Sequence, residues 1–512
     1  MRGFLVALVV ITVAGSSYPG AARAGVSIGA TDQRIPPQKV APPSIAPNKI
    51  ATSVPPERPK LAVALKPISV VVTSPDKRLN QGTTIDWHAT ETGAGSSTGP
   101  ATGAGTDTIV LKPEQTFQKV LGFGGAMTDA TCFILNRLSP QARAELLHTL
   151  FAPNEMGLNV CRTCIGASDY STEAFSYDDG PADPELKQFS IAHDQKYVLP
   201  MLREARQVNP QLTLFSTPWS PPGWMKSNGS MLGGNMQRKS LPFYAEYFAK
   251  FLKAYEQQGV PIQAVTVQNE VDTDQDSRMP ACVWPQEYEV DFVKHFLGKT
   301  LQREGLKTKI WIIDHNYNLW GRALASLEEP DLRKCVDGVA WHGYLGDATK
   351  MTVVHDAYPQ IGAHWTEGGP DYTDAHYADN WVTWGKTFTN VLRNWSESIT
   401  VWNIALDENG KPNIGPFPCG GLVTINSKTG AVSNSGQYWA LAHFSKFIHR
   451  NAERVASVGD LKGVSHVAFK NPDGQFVVVL TNEGPTQTIK LQMATYFASV
   501  PLAPDSVTTL TW

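Results

Sequence analysis

Two segments, Val267-Gln268-Asn269-Glu270 and Trp365-Thr366-Glu367, each set a glutamate at the end of a short apolar run. Two carboxyl groups that face one another can cleave a glycosidic bond, and a separation of about 5 to 5.5 Å accompanies retention of configuration. The chemistry needs one of them protonated and the other ionised, a division that only their surroundings can create. Arg162 and Tyr344, if aimed at Glu367, would stabilise its charge by ion pairing and hydrogen bonding. Glu270 has no cationic neighbour along the chain and is expected to stay protonated. Asp129, Trp219, Asn269, His342 and Trp402 end similar runs, and Asp314 and His315 are further candidates to line a cleft.

Such side chains converge only if the runs are parallel strands of one sheet. Eight runs fit: Val120 to Gly124, Leu158 to Arg162, Leu212 to Ser216, Ala264 to Gln268, Ile310 to Asp314, Gly338 to His342, Gly362 to Thr366 and Ile399 to Ile404. Helical patterns lie between them, including Pro140 to Leu150, Leu241 to Gln258 and Tyr288 to Glu304. Eight strand-helix units predict an α/β fold, a (β/α)8 TIM barrel, whose active site sits at the carboxyl ends of its strands. After Ser457 the texture changes to alternating segments broken by Asn-Pro-Asp-Gly and Asn-Glu-Gly-Pro turns, which signals antiparallel β-structure. Ser69 to Thr73 and Thr108 to Leu111 read as strands too, so the N- and C-terminal segments are expected to share a side β-sandwich. The expected division is a signal peptide at 1–24, a Pro-rich disordered linker at 25–66, N-terminal sandwich strands at 67–115, the barrel at 116–445 and the C-terminal sandwich at 446–512.

The segments GFGGAMTDA (122–130), TPWSPPGWMKSNG (217–229), VQNE (267–270), WHGY (341–344), TEGG (366–369) and WNIALDENGKPN (402–413) are similar to glycoside hydrolase family 30, which includes the glucosylceramidases. The resemblance covers roughly residues 107–512 in the expected order. It implies Glu270 as acid/base and Glu367 as nucleophile of a retaining β-glycosidase. It also implies Asn269 on the sugar 2-hydroxyl, Asp129 and Trp219 on the remaining hydroxyls, and Trp402 as an apolar wall. Arg162, His342 and Tyr344 match positions that support the nucleophile or line the pocket. The implied enzyme is β-glucosidase-like or glucosylceramidase-like and exo-acting, needs no metal or cofactor, and takes a β-glycoside, glycolipid or oligosaccharide. β-1,6-Glucanase and β-xylosidase activity are alternatives within the same chemistry. A non-catalytic carbohydrate-binding protein is the alternative from another class, and the presence of both glutamates argues against it.

The remaining features mainly exclude. A net charge of -3 from 44 basic and 47 acidic residues offers no footprint for nucleic acid. The apolar run Phe4 to Ala14, followed by Ala22-Arg23-Ala24, predicts export to the periplasm or medium with cleavage after Ala24. That run is too short to span a bilayer, and no later run is long enough to do so. In an oxidising compartment the six cysteines could form one to three disulfides, although buried thiols are the default for Cys161 and Cys164. Gly95-Ser96-Ser97-Thr98-Gly99 matches a serine-hydrolase elbow but lacks the flanking strand and helix. Gly122, Gly124 and Gly125 do not complete a nucleotide-binding G-x-G-x-x-G, because Met127 stands at its last position.

Overall fold

The computed structural model describes residues 65–90 and 107–512; the signal segment, most of the Pro-rich stretch and Gly95 to Gly99 lie outside the described residues. Eight parallel strands form the barrel: Gly122–Gly125, Val160–Cys164, Thr213–Thr217, Ala264–Thr266, Lys309–Asn316, Gly338–His342, Gly362–Glu367 and Ser396–Val401. Each falls within a few residues of a run read from the sequence. The sheet runs from the first strand through the eighth back to the second. An Ala126–Arg162 bridge then closes the ring, helped by bonds from Asn159 N to Phe123 O and from Met127 N to Arg162 O.

That seam explains the glycines. A Cβ on Gly124 would stand 1.6 Å from the carbonyl oxygen of Val160, so the first strand can approach the second only without a side chain there. Inside the barrel, Val160, Phe215, Ala264, Trp311 and Ala340 form an apolar floor, and alternate residues of the same strands carry the polar groups above it. Helices such as Pro140–Phe151, Leu241–Gln257 and Trp381–Arg393 cover the outside with their apolar faces. The segment expected as one helix from Tyr288 to Glu304 is helical over Gln286–Arg303, with a π-helical stretch at Phe292–Leu297.

Beside the barrel, one ladder joins four N-terminal and six C-terminal strands. Ser69–Ser74 pairs antiparallel with Ser506–Thr511. Thr108–Lys119 pairs with Glu453–Val458 on one side and, in parallel, with Gln487–Met493 on the other. Ile68, Val70, Ile109, Leu111, Leu480, Ile489 and Leu510 meet in a single apolar core, as the alternating pattern requires.

The cysteines correct the disulfide expectation: all six are free thiols. Cys161 and Cys164 lie on one strand, where residues three apart point to opposite faces and cannot meet. Burial pushes the Cys161 thiol up to about 12, so it is inert.

Candidate active site

At the carboxyl ends of the barrel strands lies a cleft of about 570 Å³ lined by Trp219, Asn269, Glu270, Tyr344, Glu367 and Trp402, among others. Another cavity, of about 610 Å³, sits where Thr213, Ala264 and Lys309 begin their strands, the end of a barrel at which catalysis does not occur. Glu270 and Glu367 thus line one cleft, as their strand-end positions require.

Local irregularities aim the groups. Against the sixth strand, Ala340 and Trp341 pair with Ile313 and His315, so Asp314 is the extra residue of a bulge. On the other side Trp341 and His342 pair with Trp365 and Glu367, which makes Thr366 extra. Bulges re-aim side chains next to active sites, and here both extra residues turn inward, with Thr366 Oγ1 donating to Oδ1 of Asp314 at 2.6 Å. Four non-glycine residues at or just beyond the carboxyl ends of barrel strands have left-handed backbones: Glu270 (φ 52°), Ile313 (φ 75°), Asp314 (φ 48°) and Asn403 (φ 37°). Conformations of this kind cost about 1–3 kcal/mol each and concentrate where function holds them.

Arg162 organises the floor of the cleft. Its Nη1 donates to Oε2 of Glu367 at 2.5 Å, and its Nη2 donates to Oδ1 of Asn269 at 2.9 Å and to Oδ2 of Asp314 at 2.8 Å. Tyr344 donates its hydroxyl to the other oxygen of Glu367 at 3.1 Å. Arg162 and Tyr344 therefore do aim at Glu367. Asp314 also accepts from Thr217 and Thr266 and pairs with Nε2 of His342. Burial alone would raise its carboxyl, but Arg162 and His342 outweigh that and hold it well below the ordinary range. Asp314 is fully buried beneath the cleft and does not line it, which corrects its placement; His315 does line it.

Glu270 departs from the expectation that it lacks a cation and therefore stays protonated. The Nδ1 atoms of His342 and His315 lie 3.4 and 3.8 Å from its Oε1, and Gln275 donates to Oε2 at 2.6 Å. Burial works to raise the Glu270 carboxyl, yet the His342 contact, with His315 and Gln275, brings it below the usual glutamate range. His342 is itself fully buried, which disfavours its charge, but Glu367, Asp314 and Glu270 surround it and raise it to about 9. These histidines come from the next strands of the sheet, so the chain around Glu270 gives no sign of them.

Trp219 and Trp402 stack face to face, with ring centroids 5.0 Å apart, and both line the cleft. Asp129 does not line it. One of its oxygens faces Nε2 of His193 at 2.8 Å, and the other accepts from the backbone and hydroxyl of Thr172. Nor does its side chain cap the helix Asp129–Asn136, since Thr128 does so. Asp169, by contrast, does line the cleft, along with Asp272 and Asp371, and the strand-end criterion missed it because it lies on the loop beyond Cys164. One Asp169 oxygen is buried without a hydrogen-bond partner. Burial, then Glu367 and Glu270, hold its carboxyl well above the ordinary range.

An eight-stranded barrel with two carboxyls at its mouth, one braced by an arginine and a tyrosine, defines a glycoside hydrolase. The Glycosyl hydrolase family 30 TIM-barrel domain matches residues 120–448, and the family's beta sandwich domain matches residues 451–510, so the chain belongs to glycoside hydrolase family 30. It is 33% identical over 416 residues to an endo-1,6-beta-D-glucanase of Neurospora crassa, covering 76% of this chain and 85% of that one. It is 31% identical over 395 residues to the lysosomal acid glucosylceramidase of Mus musculus, covering 73% and 77%. Among solved structures, the endo-beta1,6-glucanase BT3312 superposes with a TM-score of 0.77 at 27% identity, covering 87% of this chain and 99% of that one.

Proposed function

We propose that the enzyme is a retaining endo-β-1,6-glucanase, with Glu367 as nucleophile and Glu270 as acid/base. The observation that carries the chemistry is the single imidazole between the two carboxyls, His342, with Nδ1 3.4 Å from Glu270 and Nε2 3.8 Å from Glu367. The glucan specificity draws on the endo-1,6-beta-glucanase relatives and replaces the glucosylceramidase-like, exo-acting activity expected from the sequence.

In the first step Glu367 attacks the anomeric carbon while Glu270 protonates the departing glycosidic oxygen, leaving a glycosyl ester on Glu367. In the second, Glu270 takes a proton from water, the water oxygen bonds to the anomeric carbon and the ester bond breaks, releasing a β-configured sugar. Arg162 occupies Oδ1 of Asn269, which leaves the amide of Asn269 free to donate to a sugar hydroxyl. Asp169, buried with an unpartnered oxygen, is suited to bind another hydroxyl, the task first expected of Asp129. The Trp219–Trp402 pair offers an apolar face to the ring.

Glucosylceramide is the second reading. It is favoured by the exposed apolar side chains Tyr344, Leu345 and Phe417, all of which line the cleft, where a lipid aglycone would meet them. Digestion of β-1,6-glucan beside glucosylceramide and an aryl β-xyloside separates the possibilities. A ladder of short β-1,6-linked oligomers early in the reaction is the expected result; intact glucan with glucose released from glucosylceramide would transfer the assignment to the lipid.

A further inference from the structure

Two imidazoles flank Glu270 in matching arrangements. His342 pairs through Nε2 with Oδ1 of Asp314 at 3.0 Å, and His315 pairs through Nε2 with Oδ1 of Asp272 at 2.6 Å. With each Nε2 committed to a carboxylate, each Nδ1 faces the same glutamate oxygen, Oε1 of Glu270, at 3.4 and 3.8 Å. The Nδ1 of His342 is buried and has no hydrogen-bond partner of good geometry. A buried polar atom left in that state costs about 1–3 kcal/mol, a cost that a ligand at this point would remove.

Ligand atoms of Glu270, His315 and His342 all lie within 4.8 Å of one another. Zinc binds imidazole nitrogen and carboxylate oxygen at about 2.0–2.2 Å in a tetrahedron, so neighbouring ligand atoms stand roughly 3.3 Å apart. The two separations from Glu270 exceed that spacing by no more than about 0.5 Å, and the two imidazole nitrogens lie within 4.8 Å of each other, so the rings must draw together around an ion. A metal-binding histidine gives its other nitrogen to a carboxylate, which fixes the tautomer and orients the ring. Asp314 and Asp272 already hold both rings in this way, and an ion bound at Nδ1 of His342 displaces the proton that the surrounding carboxylates favour there. Glu270 and His315 line the cleft, so an ion has an entry path and a fourth position open to water. Two imidazoles and one carboxylate suit zinc or copper(II), whereas magnesium and calcium require oxygen ligands.

We propose that Glu270, His315 and His342 bind one imidazole-seeking divalent cation of the zinc class, and that an ion there stops hydrolysis by occupying the group that exchanges protons with the substrate. The inhibition rests on Glu270 being the acid/base; the binding does not.

The test titrates chelator-washed enzyme with zinc chloride by calorimetry, and locates the ion by anomalous scattering in crystals soaked with zinc. One saturable site between Glu270, His315 and His342 is expected, with no heat from magnesium chloride. Asp272→Asn, which removes only the carboxylate behind His315, should weaken zinc about 10-fold, and His315→Gln should weaken it further. Cys419→Ser should leave zinc affinity unchanged, although that thiol borders the same cleft. No saturable binding, zinc found at Cys419, or wild-type affinity in both His315→Gln and Glu270→Gln, each shown folded by its melting transition, would overturn the site. Zinc bound between the three residues with hydrolysis unaffected would overturn the inhibitory half and the acid/base role of Glu270 together.

Discussion

Arg162 and Glu367 meet across the barrel from its second and seventh strands, the guanidinium Nη1 against Oε2 at 2.5 Å, and the arginine is fully buried. The same cation also serves Asp314, so removing it strands two carboxyl groups at once. Breaking a buried pair typically costs about 3–5 kcal/mol. Arg162→Met should lose about that much in urea unfolding and should be inactive. Arg162→Lys keeps the charge but not the fork that reaches Glu367, Asn269 and Asp314 together. It should remain folded with kcat reduced at least about 10-fold, and kcat at the wild-type level would show that the fork has no part in placing Glu367.

The seam between the first two strands is a second point of sensitivity. Gly124→Ala would drive a methyl group to 1.6 Å from the Val160 carbonyl oxygen. A loss of about 3 kcal/mol is expected from such overpacking. Gly321→Ala is the control. It lies in the helix Trp320–Leu327 with nothing within 4 Å of its Cβ position, and should gain about 0.4–1 kcal/mol. Equal effects of the two substitutions would contradict the close approach at Gly124.

Acid should destabilise the fold in part through His443, on the helix Gly436–Ser445, whose ring nitrogens each lie 2.8 Å from a threonine hydroxyl, Thr509 and Thr73. Burial lowers it to about 3. The unfolded chain takes up this proton below its ordinary value of about 6.5 and the folded chain does not. Its stabilising effect is therefore complete above that value and fades as pH falls towards the folded value, by about 1.4 kcal/mol per pH unit. His443→Gln should be less stable than wild type by about 1–3 kcal/mol at neutral pH. The two unfolding curves should then converge between about pH 6 and pH 4. A difference that stays constant over this interval would mean that His443 does not titrate on unfolding.

Export is a separate expectation, carried by the run Phe4 to Ala14 and the sequence Ala22-Arg23-Ala24. Intact-mass analysis of secreted enzyme should find Gly25 at its N-terminus; retained Met1 on active secreted protein would reject the cleavage site.

Much of the scaffold was legible because each strand is an apolar run bounded by helical periodicity, and because the sandwich strands alternate. Glu270, Glu367, Trp219 and Trp402 could be located because they sit at strand ends, where a barrel puts its chemistry. What escaped depends on contacts between strands. The bulges at Asp314 and Thr366 leave no local signal, yet they decide that Asp314 lies beneath the cleft. The histidines beside Glu270 come from neighbouring strands, so its electrostatics could not be read from nearby residues. Asp129 and Asp169 both follow strand ends, and only the loop path assigns one to His193 and Thr172 and the other to the cleft.

The division of labour between Glu270 and Glu367 is tested most directly by the anomer formed when azide rescues each alanine variant, read by proton NMR. The substrate is an activated aryl β-glucoside, or its β-1,6-linked disaccharide. In Glu270→Ala the glycosyl-enzyme still forms, because a good leaving group hardly needs an acid, and azide then attacks it without needing a base. The product should be the β-azide. In Glu367→Ala no glycosyl-enzyme can form, so azide attacks the substrate itself and the product should be the α-azide. The same anomer from both variants, or the two anomers exchanged, would contradict the roles given to the two glutamates.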